Sequence, residues 1–292
     1  MADILVTGGT GQLGTCLRAL AWPAGIQVVA PARAALDLAD PASIDALLGS
    51  GSWAAVINCA ALTAVDRCES EIVAAWQANA LGPAGLAQAT ARRKIPLIHV
   101  STDYVFDGSK AGAYVETDAV SPLGVYGASK AGGEQAVRTA NPRHVIVRTA
   151  WVVSPHGQNF VKTMLKLAAG RAQLRVVDDQ IGAPTHAADL ARTLAAITLR
   201  QIDDPAAPAG LYHFTSSGRV TWHGLAQEIF RLAAAVGLKV PDVEAIATAQ
   251  YPLPAQRPAN SCLCTDKIGR DYAILPRPWQ EAIREIVAQL LT

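Results

Sequence analysis

The chain has 292 residues, of which 51% are hydrophobic and 17% are charged, and its formal net charge is +1. This composition is typical of a globular protein with one or two domains. A charge so close to zero argues against nucleic acid or an anionic membrane as the main partner. An apolar segment begins directly after the N-terminus, and no apolar run is long enough to span a bilayer, so we expect a cytoplasmic protein.

The cysteines and histidines give no sign of a disulfide framework or a metal site. The five cysteines are odd in number and include no Cys-x-x-Cys pair. The six histidines occur singly along the chain. We therefore predict no metal ligands among them.

Short apolar runs alternate with helical patterns through the first half of the chain. The strand-like runs are residues 4–6, 27–30, 55–58, 97–101 and 145–148, and the helical patterns include 12–21, 41–48, 74–93 and 122–137. This alternation predicts βαβ units, and therefore a parallel sheet with helices on both faces.

The alternation of strand-like and helical segments becomes irregular after Thr149. Residues 205–210 and 251–258 are rich in proline or glycine and are expected to be loops around shorter helices at 222–236 and 278–291. We predict an α/β protein with a Rossmann-type doubly wound parallel sheet in residues 1–149, which also receives part of 175–200. Residues 150–292 would mainly form a smaller C-terminal substrate-binding domain, with the cleft between the two.

The first predicted strand runs directly into a glycine-rich turn and then a helix. Three glycines follow one another at intervals of three residues. In a strand-turn-helix unit, this spacing allows a tight turn, a close approach to a pyrophosphate and close packing of the helix on the sheet. We predict that this turn binds a dinucleotide through Gly8, Thr10, Gly11, Gln12, Leu13 and Gly14.

Tyr126 and Lys130 are four residues apart in a predicted helix that starts at the Ser121-Pro122 signal. The spacing puts the phenol and the ammonium on one helix face, one turn apart. A positive charge a few Å from a tyrosine favours the phenolate, and such a pair suits proton exchange with a sugar or steroid oxygen. Tyr-x-x-x-Lys is common by chance in helices, but the glycine turn upstream favours a catalytic role.

Together these motifs resemble the extended short-chain dehydrogenase/reductases. Several segments narrow the resemblance to the dTDP-4-dehydrorhamnose reductase family: Asn58-Cys-Ala-Ala-Leu-Thr-Ala-Val-Asp66, Ser101-Thr-Asp-Tyr-Val-Phe-Asp-Gly108, Arg148-Thr-Ala-Trp-Val152 and Arg257-Pro-Ala-Asn-Ser261. The resemblance implies reduction, with NADPH, of the C4 keto group of dTDP-4-dehydro-β-L-rhamnose to dTDP-L-rhamnose. That reaction is the last step of dTDP-rhamnose synthesis.

The resemblance also implies roles for individual residues. Thr102 would hydrogen-bond the sugar oxygen, Tyr126 would donate a proton to it, and Lys130 would hold the nicotinamide ribose and lower the pKa of the tyrosine. Further substrate contacts are expected from Asp103, Tyr104, Trp151, Asn159 and Arg257, with Trp151 as an aromatic wall and the last two residues at the diphosphate.

The second predicted strand bears on the choice of cofactor. It contains no acidic residue before Asp37, whereas Arg33 follows it closely. An acid at this place binds the ribose 2′-hydroxyl of NAD, and an arginine accepts the 2′-phosphate of NADP. We therefore predict NADPH, with NADH left open. By resemblance, the cofactor would also contact Asp37 and Leu38 at the adenine, and Ala60, Ala61 and Leu62 after the fourth strand.

Other assignments remain open from the sequence. Related dehydratases have Thr-Asp-Glu where this chain has Thr102-Asp-Tyr104, so the acid needed for elimination is missing. The alternatives are a reductase or epimerase of another nucleotide 4-keto sugar, or a non-enzymatic regulatory subunit of the methionine adenosyltransferase type. The family is associated with Mg²⁺, although no carboxylate cluster marks a site. We expect a monomer or a homodimer.

Overall fold

The computed structural model describes residues 2–291, which form an α/β fold. The strands are β1 (Ala2–Thr7), β2 (Ile26–Val29), β3 (Trp53–Asn58), β4 (Leu97–Thr102), β5 (His144–Thr149), β6 (Val152–Val153), β7 (Gln173–Val177), β8 (Ile181–Gly182), β9 (Thr185–His186), β10 (Gly210–His213), β11 (Val220–Thr221) and β12 (Asp242–Ile246). The helices are α1 (Gln12–Ala19), α2 (Pro41–Gly49), α3 (Val65–Ser70), α4 (Ile72–Trp76), α5 (Gly82–Arg92), α6 (Val125–Ala140), α7 (Phe160–Ala168), α8 (Ala187–Asp203), α9 (Trp222–Ala235), α10 (Asp266–Tyr272) and α11 (Trp279–Leu291).

The central sheet has six strands in the order β10-β5-β4-β3-β1-β2, and all of its pairings are parallel. The predicted doubly wound parallel sheet is therefore confirmed. From β1 the chain first adds β2 on one side and then builds the rest of the sheet on the other side. The carboxyl ends of β1 and β3 thus border the crevice where ligands bind in open α/β sheets.

Alternating side chains along each strand divide between two helical layers, because successive residues of a strand point to opposite faces. In β1, Ile4 and Val6 pack with α1 and α8, whereas Leu5 packs on the opposite face with α2, α5 and α6. In β5, Val145 and Val147 face the first layer and Ile146 faces the second. Apolar residues on both faces of each strand explain why the strands appear as continuous apolar runs in the sequence.

A second apolar core is built from the C-terminal part of the chain. Helices α7, α9 and α11 pack together with the parallel pair β7 and β12. The predicted helices 222–236 and 278–291 correspond to α9 and α11. Residues 187–213 also belong to the central sheet region: β10 is an edge strand of the sheet, and α8 packs on one of its faces. The domain division at residue 149 stays a prediction. Within residues 2–291, no helix has the length and apolarity needed to cross a bilayer.

Two predicted helices differ from those observed. The helix expected from residue 122 begins at Val125, because Gly124 is extended and the Glu69 carboxylate accepts a hydrogen bond from the Val125 backbone N–H at 2.8 Å. The helix expected at 74–93 is divided by a π-helical turn at Gln77–Leu81. Pro83 comes two residues after this turn, and because proline has no N–H, a regular α-helical hydrogen-bond pattern cannot continue through it.

The N-terminal part of α6 lies directly against the turn that follows β4. A Cβ atom at Gly127 would fall far inside van der Waals contact with the Tyr104 carbonyl oxygen. Since a carbonyl in a short helical turn cannot move aside easily, only glycine permits this approach.

We expect Gly127→Ala to lower the free energy of unfolding by about 1–3 kcal/mol, because the added methyl overpacks a backbone contact. Urea denaturation measures this difference. Gly269→Ala is the matched control, since Gly269 is also inside a helix but its nearest neighbour would be 3.5 Å from the new Cβ. That control should be neutral or slightly stabilising. Equal effects of the two substitutions would contradict the proposed close contact.

Candidate active site

The predicted catalytic residues Thr102, Tyr126 and Lys130 meet at the carboxyl edge of the sheet. Thr102 is the last residue of β4, and the other two lie in the first two turns of α6. The side chains of Thr102 and Lys130 are buried, and Tyr126 is partly buried. The ring of Tyr104 meets the ring of Tyr126 edge-on, with 5.4 Å between centroids. The residues that the sequence joined by pattern are thus adjacent in space.

Tyr126 is held in its protonated form. Burial raises its pKa, and the neighbouring Asp103 and Tyr104 act in the same direction, while a hydrogen bond with Thr102 opposes them. Burial outweighs any lowering by Lys130, so the net shift of this pKa is opposite in direction to the one expected from the sequence. Because the phenol stays protonated at neutral pH, it has a proton to donate to a strongly basic oxygen.

Asp103 is a buried carboxyl group beside this pair. The Thr102 hydroxyl donates to its Oδ1 at 2.9 Å and accepts a hydrogen bond from the Tyr104 backbone N–H at 3.2 Å. Burial raises the pKa of Asp103 to about 6, against hydrogen bonds from Ser261 and Thr102. The carboxyl group can therefore exchange a proton close to neutral pH.

Lys130 has few partners for a buried cation. Its ammonium donates to the Val100 carbonyl oxygen at 2.7 Å and lies 3.5 Å from Nε2 of His99. Burial lowers the pKa of Lys130 to about 8, although Glu134 and Cys59 act in the opposite direction. Acceptors on a bound ribose would complete the coordination of this ammonium.

The glycine turn fits a dinucleotide pyrophosphate. Gly11 caps α1 without a side-chain hydrogen bond, so the N–H groups of the first turn of that helix are not capped by a side chain. A Cβ atom at Gly14 would overlap the Gly8 carbonyl, and one at Gly8 would lie 2.8 Å from the Ala60 nitrogen. The turn and the segment of Ala60, Ala61 and Leu62 therefore lie side by side. We expected this segment to follow the fourth strand. It follows β3 instead, because α2 is the one regular element between β2 and β3 in the described residues 30–52.

The segment after β2 carries the other predicted cofactor residues. Arg33 is exposed, and β2 borders β1 and so lies beside the glycine turn. The Asp37 carboxylate accepts the Ala39 backbone N–H at 3.0 Å, while Leu38 lies against Gly82 at the start of α5. Contacts of Arg33, Asp37 and Leu38 with a nucleotide stay predictions.

Trp151 is fixed by an aromatic stack. Its φ of 48° is unusual for a residue other than glycine and indicates a backbone held in place by its surroundings. The indole stacks on Trp222 with 3.5 Å between centroids and an angle of 12°. A Cβ atom at Gly182 would lie only 2.6 Å from the Trp151 ring. This rigidity suits the predicted aromatic wall of a sugar site, a role that stays a prediction.

Asn159 and Arg257 have protein partners that the sequence did not suggest. The Asn159 amide caps α7 and donates to the Gln12 Oε1 at 2.9 Å. The Arg257 guanidinium forms two hydrogen bonds with Asp66, at 2.8 and 3.1 Å. Their predicted contacts with a diphosphate stay predictions, and Arg257 would have to share its charge with Asp66.

Two buried polar residues near the site were missed by sequence reasoning. Asn79, in the π-helical turn, holds the backbone of Leu62 through two hydrogen bonds at 2.8 and 3.1 Å and donates to the Ser129 hydroxyl. His99 lies in β4 between the apolar residues Ile98 and Val100 and contacts Lys130. The available signal was a polar residue in a buried segment.

A metal site does not emerge from residues 2–291. They contain no group of three or more His, Cys, Asp or Glu side chains arranged to hold a metal ion. The Mg²⁺ expected from the resemblance therefore lacks support in this chain.

Comparisons with known proteins agree along the whole chain. The model of the RmlD substrate binding domain family matches residues 1–292. A dTDP-4-dehydrorhamnose reductase of Aggregatibacter actinomycetemcomitans is 44% identical over 291 residues, covering 99% of each chain. A crystal structure of a dTDP-4-dehydrorhamnose reductase from Clostridium acetobutylicum has a TM-score of 0.92 at 36% identity. One from Bacillus anthracis, in complex with NADP, has a TM-score of 0.91 at 31% identity. Each comparison covers 99% of this chain and 100% of the other. The protein therefore belongs to the dTDP-4-dehydrorhamnose reductase family.

Proposed function

We propose that this protein reduces the C4 keto group of dTDP-4-dehydro-β-L-rhamnose to dTDP-L-rhamnose with NADPH. The observation that carries the proposal is the meeting of Thr102, Tyr126 and Lys130 beside the glycine turn. The full-length similarity to reductases of this name supports the substrate.

The bound cofactor supplies the hydride that reduces C4. Thr102 orients the sugar through a hydrogen bond to O4, and Tyr126 donates its phenolic proton to that oxygen. An alkoxide is a far stronger base than a phenolate, so this transfer is downhill even from a phenol whose pKa is raised. Lys130 binds the nicotinamide ribose, and the buried Asp103, one hydrogen bond from Thr102, is placed to return a proton to the site.

The residue at position 104 favours reduction over elimination. A dehydratase needs two acidic groups here, one to remove a proton and one to expel a hydroxyl. This chain has Asp103 but places Tyr104 next to it, and burial raises the pKa of that tyrosine. The site can thus hold and protonate a sugar oxygen but lacks the second carboxyl group.

Arg33 and the absence of an acid at the end of β2 support NADPH over NADH. The NADP bound to the relative from Bacillus anthracis agrees with this choice. A cytoplasmic location and a monomeric or homodimeric state remain predictions from the sequence.

Tyr126→Phe should reduce kcat by about 10²–10⁴-fold, because the variant loses the transferable proton. The dissociation constant for NADPH should stay within a few-fold of the parent value. Steady-state kinetics and a fluorescence titration measure the two quantities. Tyr251→Phe, at an exposed tyrosine, serves as the control. Full activity of Tyr126→Phe would rule out the phenol as the proton donor.

The protein should consume one NADPH for each molecule of dTDP-4-dehydro-β-L-rhamnose reduced, and it should not convert dTDP-glucose. The substrate can be made from dTDP-4-dehydro-6-deoxyglucose by a 3,5-epimerase, and the loss of nicotinamide absorbance reports the stoichiometry. Sugar conversion without net NADPH oxidation would indicate an epimerase. Binding of NADPH without turnover would favour a regulatory subunit.

A further inference from the structure

A chain of buried polar side chains connects the glycine turn to Lys130. Its members are Thr7 at the end of β1, Asn58 at the end of β3, and His99 inside β4, and each is at most 2% exposed. The Thr7 hydroxyl donates to Asn58 Oδ1 at 2.6 Å, and the Asn58 amide nitrogen lies 2.9 Å from His99 Nδ1. His99 Nε2 lies 3.5 Å from Lys130 Nζ. The proposed reduction assigns no step to Asn58 or His99.

The backbone fixes the orientation of the Asn58 amide. The Ala60 N–H points at both Thr7 Oγ1, at 3.2 Å, and Asn58 Oδ1, at 3.3 Å. A backbone N–H can only donate, so the oxygen of Asn58 faces β1 and its NH₂ group faces His99. His99 Nδ1 must then accept a hydrogen bond. Burial lowers the pKa of His99 well below its usual value, so the ring is neutral and its proton lies on Nε2.

This tautomer acts against a charge on Lys130. The Nε2–H group and an ammonium are both donors, whereas a neutral amine accepts a hydrogen bond from Nε2–H. Burial also disfavours the charged lysine and lowers its pKa to about 8.

Other groups near Lys130 act in the opposite direction but weakly. Glu134, on the same helix, favours the ammonium, but its carboxylate is paired with Arg148 of β5 at 2.6 and 2.8 Å. Cys59, after β3, would favour the ammonium only as a thiolate, and burial raises its pKa to about 12. Tyr126, one turn earlier on α6, is neutral. A neutral Lys130 is thus accessible slightly above neutral pH.

We propose that Asn58 and His99 form a relay that sets the proton occupancy of Lys130, so that dinucleotide binding is coupled to proton uptake by this lysine. The inference rests on the proposed function, in which Lys130 binds the nicotinamide ribose. Ribose oxygens accept hydrogen bonds and therefore favour the ammonium, so binding raises the pKa of Lys130. Affinity is then greatest below about pH 8 and falls as the pH rises through the pKa of the free protein.

Isothermal titration of NADPH into the full chain, from pH 6.5 to 9.5, tests the coupling. Two buffers with different ionisation enthalpies report the number of protons taken up. We expect uptake of up to one proton above pH 8, with affinity falling by at most about tenfold per pH unit. Binding without proton uptake across this range would overturn the proposal. A parent protein that does not bind NADPH at all would instead contradict the proposed function.

Asn58→Asp tests the relay. The aspartate accepts a hydrogen bond from an Nδ1–H group of His99 and so favours the tautomer with its proton on Nδ1. The lone pair of Nε2 then faces Lys130 and favours the ammonium. The fall in affinity should then begin at least one pH unit higher, which corresponds to binding at pH 9 that is about fivefold tighter or more. His144→Leu, at the other end of the sheet, is the histidine control and should leave the pH profile unchanged. An unshifted profile in Asn58→Asp would overturn the proposal.

The double variant Asn58→Asp/His99→Leu separates the relay from the direct effect of a new negative charge. If the effect of the aspartate passes through the His99 ring, most of the shift in the pH dependence of NADPH affinity should disappear in the double variant. A fully retained shift would overturn the role of His99. If a variant fails to fold, ¹⁵N NMR of the parent protein decides the matter. The relay requires a proton on His99 Nε2 and none on Nδ1, and the reverse assignment would contradict it.

Discussion

The close contact between α6 and the turn after β4 is the constraint on which the active site depends. Gly127 lies between Tyr126 and Lys130, and its missing side chain lets the helix rest on the Tyr104 carbonyl. A larger residue would move the phenol and the ammonium away from Thr102 together. The buried position that results raises the pKa of Tyr126 and lowers that of Lys130. The same close contact therefore determines both the positions of Tyr126 and Lys130 and the direction of their pKa shifts.

The residues predicted to bind the substrate have their own partners in the fold, which are polar contacts and an aromatic stack. Gln12, in the glycine turn, accepts hydrogen bonds from Ser154 and Asn159 at 2.8 and 2.9 Å. Asp66, in α3, holds Arg257. These pairs join residues far apart in the sequence. Trp151 comes two residues after the carboxyl end of β5, at the same edge of the sheet as Thr102. The hydrogen bonds of Gln12 also connect the glycine turn to the part of the chain expected to hold the sugar nucleotide.

Much of this arrangement could be predicted from the sequence, because local patterns report local structure. The five apolar runs became five parallel strands, and the spacing of Tyr126 and Lys130 gave their common helix face. The start of α6 was wrong by three residues, since the capping carboxylate of Glu69 comes from another helix. The predicted direction of the pKa shift of Tyr126 was wrong. Burial raises this pKa, and burial depends on tertiary packing that the local sequence pattern does not show. Asn79 and the Asn58–His99 pair went unnoticed, because their hydrogen bonds link residues far apart in the sequence.

The fate of the hydride tests the assignment of this site to ketone reduction most directly. NADPH carrying deuterium at both C4 positions of the nicotinamide should be supplied with dTDP-4-dehydro-β-L-rhamnose, and the product examined by NMR. Direct delivery predicts one deuterium at C4 of the rhamnose ring in every product molecule, with none at C3 or C5. A product that carries hydrogen from solvent at C4 would contradict the assignment of this site to hydride reduction.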